Sequence, residues 1–83
     1  MRMTRAITFD RTMQDGEQRV AFKHELDDMG VTLTSSSSFE RAFSRSKAAA
    51  DSNGEIRSDR LRAIVDEVES GMEVFREVSD TFR

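Results

Sequence analysis

The stretch from Arg19 to Val68, RVAFKHELDDMGVTLTSSSSFERAFSRSKAAADSNGEIRSDRLRAIVDEV, decides the fold. Its apolar residues recur at three- and four-residue spacing, which is typical of helices with one buried face. Turns rich in glycine, serine and asparagine divide it into three such segments. Most of the apolar side chains that could form a core lie here or continue the last segment. We therefore predict an all-α fold, a small bundle of three to four helices.

The first helix is expected to begin near Glu17 and to end at Gly30, which can take the left-handed conformation of a helix end. Asp15 is a candidate N-cap, and Gln18, three residues further on, completes an approximate capping box. The apolar residues of this helix and of the connection after it are Phe22, Leu26, Met29, Val31 and Leu33. Those in the connection are expected to tuck under it.

The second helix follows a run of four serines at residues 35–38. Ser37 and Glu40 have the spacing of a capping box, which favours a helix start over the alternative of a flexible linker. The helix is expected to end at Asn53-Gly54. Its apolar residues are Phe39, Ala42, Phe43, Ala49 and Ala50. Ser46 interrupts this face where a larger apolar residue would pack better.

The third helix has Ser58 as its candidate cap and Asp59 in its first turn. Its apolar stripe is the most regular in the chain and comprises Leu61, Ile64, Val65, Val68, Met72, Phe75 and Phe82. Because the phase is unbroken, we expect the helix to continue through Gly71, although glycine costs about 1 kcal/mol in a helix interior.

This long stripe predicts a contact surface, because the two shorter helices cannot cover all of it. The candidate interface residues are Val68, Met72, Phe75 and Phe82. A two-fold homodimer is the commonest way to close such a surface. The alternative is that residues 70–83 fold back as a fourth helix and leave a monomer.

Residues 1–14 are the least regular part of the chain. The run from Ala6 to Phe9 has strand propensity, but no second strand candidate is evident. An unpaired strand leaves its backbone groups without partners. We therefore expect an extended or disordered arm at residues 1–14 and a single helical domain at residues 15–83, in which Ile56 is a lone apolar plug between helices.

The composition narrows the class of protein. The chain has 83 residues and no cysteine, and its 13 basic and 16 acidic residues give a net charge of −3. The lack of a basic excess argues against nucleic-acid binding, which would have to use Arg2, Arg5 and Arg11 of the arm. No stretch approaches the roughly 18 apolar residues of a membrane span. A chain without cysteine suits a cytoplasmic location.

Two patterns resemble metal sites but lack ligands that such sites need. Residues 51–56 resemble the middle of an EF-hand loop, yet Ala49 and Arg60 would stand where anionic ligands are required. We therefore favour a junction between helices over a calcium site. His24 is the sole histidine of the sequence, and two aspartates follow it at helical spacing. Catalytic zinc takes three protein ligands, so a solvated helix face is favoured there.

Two stretches resemble the family of isopropylmalate, citramalate and homocitrate synthases. Phe9 to Gln18, FDRTMQDGEQ, is similar to the family pattern F-D-T-T-L-R-D-G-E-Q at the first strand of a TIM barrel. The stretch from Arg19 to about Val68 is similar to the helical subdomain after the barrel, where the family reads R-H-A-F-K-x-x-L-x-x-L-G and then F-K-x-L-A-D, E-V and D-L-x-A-L-V. The matching residues of this second stretch are Arg19, Ala21-Phe22-Lys23, Leu26, Met29-Gly30, Lys47, Ala50-Asp51, Glu55-Ile56, Leu61 and Ala63-Ile64-Val65.

The resemblance implies that Asp15 binds a divalent metal. The alternative is that Asp15 only caps the start of the first helix. Gln14 replaces the arginine that acts at the substrate in the family. The family's H-x-H metal pair is missing, as is the barrel sequence between the two motifs, and a TIM barrel needs about 250 residues. The chain therefore resembles the start of the barrel joined directly to the later subdomain. A natural relic and an engineered joining would both produce this.

Taken with these departures, the resemblance implies a non-catalytic helical module derived from an acetyl-CoA-dependent acyltransferase of leucine biosynthesis, acting in protein association. We expect no catalytic residue, no cofactor, and at most a vestigial metal site at Asp15. The expected partner is a second copy or a related synthase chain. The alternative is a component of a synthase whose active site is completed by another chain.

Overall fold

The computed structural model describes residues 6–71, which form three helices and two short strands. The elements are β1 (Ala6–Thr8), α1 (Asp15–Asp28), α2 (Ser36–Ala49), β2 (Glu55–Arg57) and α3 (Ser58–Ser70). The expected helical class of fold is thus confirmed for the described part of the chain. Within it, no helix is both long and apolar enough to cross a membrane.

The strand β1 is not alone, because it pairs antiparallel with β2. Ile7 lies opposite Ile56, and both side chains are buried, at 3% and 4% exposure. The expectation that β1 finds no partner is therefore wrong, and so is the assignment of residues 6–14 to a separate arm. The partner strand was missed because Ile56 occupies a three-residue segment, too short to show an alternating pattern. Residues 1–5 lie outside the described part.

The helices begin close to the predicted positions, but different residues cap them. Gln14 is the N-cap of α1, which places Asp15 in the first turn instead of at the cap. Ser35, and not Ser37, caps α2, and its Oγ accepts a hydrogen bond from the Ser38 amide at 3.1 Å. A run of four serines offers several cap positions, so the sequence could not choose among them. Arg57 is the N-cap of α3.

The third helix ends at Ser70, because Gly71 has a φ of +78° and takes the left-handed conformation. The predicted continuation through Gly71 is therefore wrong, and the glycine acts as a helix stop. Val68, one of the candidate interface residues, is a core residue with 7% exposure. The other three, Met72, Phe75 and Phe82, lie outside the described residues.

Phenylalanine rings form the centre of the core. Phe22 of α1 packs against Phe43 of α2, with ring centroids 5.5 Å apart. Phe9, from the segment that leads into α1, stacks on Phe22 at 5.8 Å and meets Phe43 edge-on at 5.9 Å. Such pairs add about 0.5–1.5 kcal/mol each beyond their buried area. The segment before α1 is therefore part of the core, together with the buried residues of α3, Leu61, Ile64, Val65 and Val68.

Candidate functional site

The carboxylate of Asp15 lies between two cationic side chains. It forms an ion pair with Arg19, one turn further along α1, and lies 3.7 Å from Nζ of Lys47 on α2. Within residues 6–71 there is no group of three histidine, cysteine or acidic side chains able to hold a metal ion. Two cations beside one carboxylate do not fit a divalent metal, which would add further positive charge at the same place. This arrangement favours a structural role for Asp15.

Gln18 joins three parts of the chain at the same end of α1. Its side chain has only 5% exposure. Its Nε2 donates to the main-chain oxygen of Asp10 at 2.7 Å, and its Oε1 accepts from Nζ of Lys47 at 2.7 Å. Both ends of this buried amide are thus satisfied, as burial requires. The stretch that resembles the family's D-G-E-Q motif here fastens the segment after β1 to α1 and α2.

Arg19 also connects α1 to α2 through Glu40. Its Nη2 and Nε lie 2.8 Å and 3.0 Å from the two carboxylate oxygens, a bidentate arrangement, and the guanidinium carbon lies 4.7 Å from the centre of the Phe43 ring. The hydrogen bond raises the pKa of Arg19 and lowers the pKa of Glu40. Hydrogen bonds from Thr12 likewise lower the pKa of Asp10 in the turn after β1.

The loop that resembles an EF-hand is closed by its own hydrogen bonds. Oδ1 of Asp51 accepts the amides of Asn53 at 2.8 Å and Glu55 at 3.0 Å. The carbonyl oxygen of Gly54 then accepts a hydrogen bond at 2.7 Å from the amide of Phe9, the residue directly after β1. The predicted junction between helices is therefore a turn that leads into β2. His24 lies on the exposed side of α1.

A groove of about 440 Å³ lies between the second half of α1, the connection after it and the start of α2. Its apolar lining consists of Leu26, Val31, Leu33 and Phe39. The last three are only partly buried, so the groove exposes apolar surface. From the sequence, these residues were expected only to pack against the helices. Val31 and Leu33, the two apolar residues between α1 and α2, could have indicated a groove, because the short helices cover them only in part.

Charged residues of both signs line the groove. Lys23 and Asp27 lie one turn apart on α1, and Glu40 lies on α2. Ser35 and Ser36 form part of the wall at the start of α2. An apolar floor with a charged rim is typical of protein contact surfaces. The groove is therefore the best candidate for a functional surface among the described residues.

The fold and the groove define a small helical domain with an apolar interhelical surface. Compared with known proteins, the chain is similar to 2-isopropylmalate synthase of Burkholderia pseudomallei strain 668, with 43% identity over 54 residues. The same values hold for the enzyme of strain 1106a. The matched segment covers 65% of this chain and 10% of the relatives, so the chain spans about a tenth of their length. No family model and no solved structure matches.

This partial similarity supports a relation to 2-isopropylmalate synthase over the matched segment. The resemblance seen in the sequence agrees with this relation to the synthase family. It does not bear on the F-D-R-T-M-Q-D-G-E-Q stretch in particular, so the correspondence of that motif stays a prediction.

Proposed function

We propose that this chain is a helical association module, related to part of 2-isopropylmalate synthase, that pairs with a second copy of itself through the groove. The observation that carries the proposal is the groove's lining, which combines partly buried apolar residues with one cation and one anion on the same helix. The similarity to a tenth of the synthase supports the relation, and the pairing rests on the groove.

The charges on α1 are arranged so that the surface complements itself. Lys23 and Asp27 are separated by one helical turn and both line the groove. A two-fold axis across the groove sets two α1 helices antiparallel, so that Lys23 of one copy faces Asp27 of the other, twice. Two-fold contacts of this kind use the same patch on both subunits. Rim charges of opposite sign favour one register and one partner.

The apolar centre of this contact is formed by Leu33 and Phe39, with Val31 beside them. A stable interface covers about 800 Å² on each partner, more than one groove of this size supplies. We therefore expect a weak dimer, with a dissociation constant of about 10–100 μM. Pairing should become stronger at low ionic strength, because the rim charges are exposed.

The test is sedimentation equilibrium at tens of micromolar, where a mass above the 9.5 kDa of one chain reports pairing. Leu33→Asp should return the mass to that of one chain, whereas Val20→Asp should not. Val20 is a suitable control because it is exposed, at 59%, and lies on α1 outside the groove.

A charge swap tests the geometry more sharply. Lys23→Asp alone places four like charges across the axis and should weaken pairing. Adding Asp27→Lys to the same chain restores the opposite-charge contacts and should recover it. The four variants are the two single changes Leu33→Asp and Val20→Asp, the change Lys23→Asp, and the charge swap. Equal masses for all four at every concentration would overturn the proposal. A mass change seen only after adding a 2-isopropylmalate synthase would favour the alternative, a component completed by another chain.

A further inference from the structure

We propose that Asn53 is a site of spontaneous deamidation, that the pairing of β1 with β2 protects it, and that its isoaspartyl product cannot restore that pairing. Asn53 is the sole asparagine of the sequence and is followed by Gly54. Glycine has no side chain beside the attacking nitrogen, so it hinders this reaction least. The reaction uses none of the groove residues and is independent of the proposed function.

The chemistry takes place between the side chain of Asn53 and the main chain of Gly54. The main-chain nitrogen of Gly54 loses its proton and bonds to Cγ of Asn53, and the side-chain nitrogen leaves as ammonia with that proton. The product is a cyclic succinimide, whose ring water opens at one of its two carbonyl groups. Opening at the side-chain carbonyl gives aspartate. Opening at the main-chain carbonyl gives isoaspartate, in which the main chain runs through the former side chain and gains a methylene.

In the folded chain, a hydrogen bond holds the attacking nitrogen. The Gly54 amide donates to the main-chain oxygen of Asp51 at 2.9 Å, and this bond keeps the proton that the nitrogen has to lose. Oδ1 of Asp51 closes the same turn by accepting the amides of Asn53 and Glu55 at 2.8 Å and 3.0 Å. The side-chain amide of Asn53 is exposed and has no hydrogen-bond partner within residues 6–71. The turn, and not the side chain, therefore limits the reaction.

The strand β1 and the residue after it hold this turn closed. The amide of Phe9 donates to the carbonyl oxygen of Gly54 at 2.7 Å, and a Cβ on Gly54 would lie 2.5 Å from the carbonyl oxygen of Phe9. The next pair, Ile7 and Ile56, is buried. Opening the turn far enough for attack therefore requires β1 to separate locally from β2.

The isoaspartyl product does not fit the closed turn. Its added methylene lengthens the chain between Asp51 and Gly54 and shifts Gly54 out of place. Because Gly54 has no free space on the side of Phe9, this shift costs the hydrogen bond from the Phe9 amide. Turn geometry sets the register of paired strands, so the match of Ile7 with Ile56 is lost as well. The loss of ammonia makes the change irreversible.

The test follows the conversion of Asn53 by peptide mapping while the full chain is incubated at mildly alkaline pH, with and without urea. Conversion should be at least about tenfold slower in the folded chain than in the urea-unfolded chain. Asp51→Ala should speed the conversion of the folded chain and leave the rate in urea unchanged. The control is Asp66→Ala, which removes an exposed carboxylate of α3 and should change neither rate. Equal rates for the parent chain with and without urea would overturn the proposal.

Two further measurements test the role of the strand pair. Ile7→Ala weakens the pairing, whereas Val65→Ala removes core volume in α3, and urea unfolding gives the stability that each variant loses. For the same loss of stability, Ile7→Ala should speed conversion more than Val65→Ala. Equal acceleration would show that only global unfolding exposes Asn53 and would overturn the protection by β1.

The product is tested on the isoaspartyl chain, separated from the parent chain by ion exchange. Its Ile7 methyl and Phe9 amide resonances should leave their folded positions. Unchanged resonances there would overturn the claim that the product cannot restore the pairing.

Discussion

At the scale of single residues, Gly54 has the strictest requirement in the fold. Its φ is +78°, and a Cβ built there would lie 2.5 Å from the carbonyl oxygen of Phe9. Gly30 is the natural comparison, because its φ is +72° but nothing lies within 4 Å of its Cβ position. Both positions have a positive φ, which disfavours any residue with a Cβ. Of the two, only Gly54 also lacks the space for a Cβ.

We therefore expect Gly54→Ala to destabilise the protein by at least about 1 kcal/mol more than Gly30→Ala, which bears only the left-handed cost of about 1–2 kcal/mol. Urea unfolding of the two variants measures the difference. Equal losses would mean that the contact between the turn and Phe9 relaxes without cost.

Ser46 differs from Gly54, because a different residue at this position is expected to stabilise the fold. Its side chain is fully buried, and its Oγ has no hydrogen-bond partner within residues 6–71. Leaving a buried hydroxyl unpaired costs about 1–3 kcal/mol. Ser46→Ala is therefore expected to stabilise the protein by about 1 kcal/mol, which raises the melting temperature by roughly 4–8 °C in a domain of this size.

The control for this change is Ser44→Ala, at an exposed position of the same helix. Both variants gain alanine's helix propensity, so the difference between them isolates the buried hydroxyl. A lower melting temperature for Ser46→Ala would show that the hydroxyl binds a buried water instead.

At the scale of elements, β1 is held more firmly than its three residues would allow alone. Ile7 and Phe9 are buried, and Gln18 holds the main chain at Asp10. We expect backbone order parameters near 0.85 at Ile7 and Phe9, equal to those of the helices. Relaxation measurements would contradict this arrangement if they gave values below about 0.6 there.

The link between α1 and α2 should make stability depend on acid. The hydrogen bond from Arg19 lowers the pKa of Glu40 from its ordinary 4.5. A carboxyl whose pKa is lower in the folded state stabilises the protein above its unfolded pKa and loses that effect as pH falls through the folded one. The unfolding free energy should therefore decline below pH 4.5, and less steeply in Glu40→Gln.

Urea titrations between neutral pH and acid measure this slope. Glu17→Gln serves as the control, because it removes an exposed carboxylate of α1 outside the Arg19 pair. The same slope in Glu40→Gln as in the parent chain would mean that the pair is broken in solution.

At the scale of the whole molecule, we expect that these 83 residues do not condense acetyl-CoA with a 2-keto acid, the reaction implied by the resemblance. Gln14 replaces the family's arginine, and Asp15 is engaged with Arg19 and Lys47. The measurement is release of free coenzyme A with magnesium or manganese and several keto acids. Turnover above a control that contains the metal alone would contradict this expectation.

The sequence predicted the helices well because their apolar faces are periodic, from Phe22 and Leu26 to the stripe of α3. It failed at β1 and β2 because pairing across the chain leaves no local pattern in three residues. It also misjudged Gly71, where unbroken phase competed with a residue suited to stopping a helix. The groove was missed because its lining comes from three separate segments, and only the fold brings Leu26, Leu33 and Phe39 together.

The pairing of Ile7 with Ile56 also sets an order of events during synthesis. Ile7 leaves the ribosome well before its partner has been made, since about fifty residues separate them. At about 5–20 residues per second, this wait lasts roughly 3–10 s. The nascent chain must spend that time with Ile7 lacking its strand partner, although Phe22, on which Phe9 stacks, is made much earlier. Docking of β1 therefore has to wait until β2 has been made.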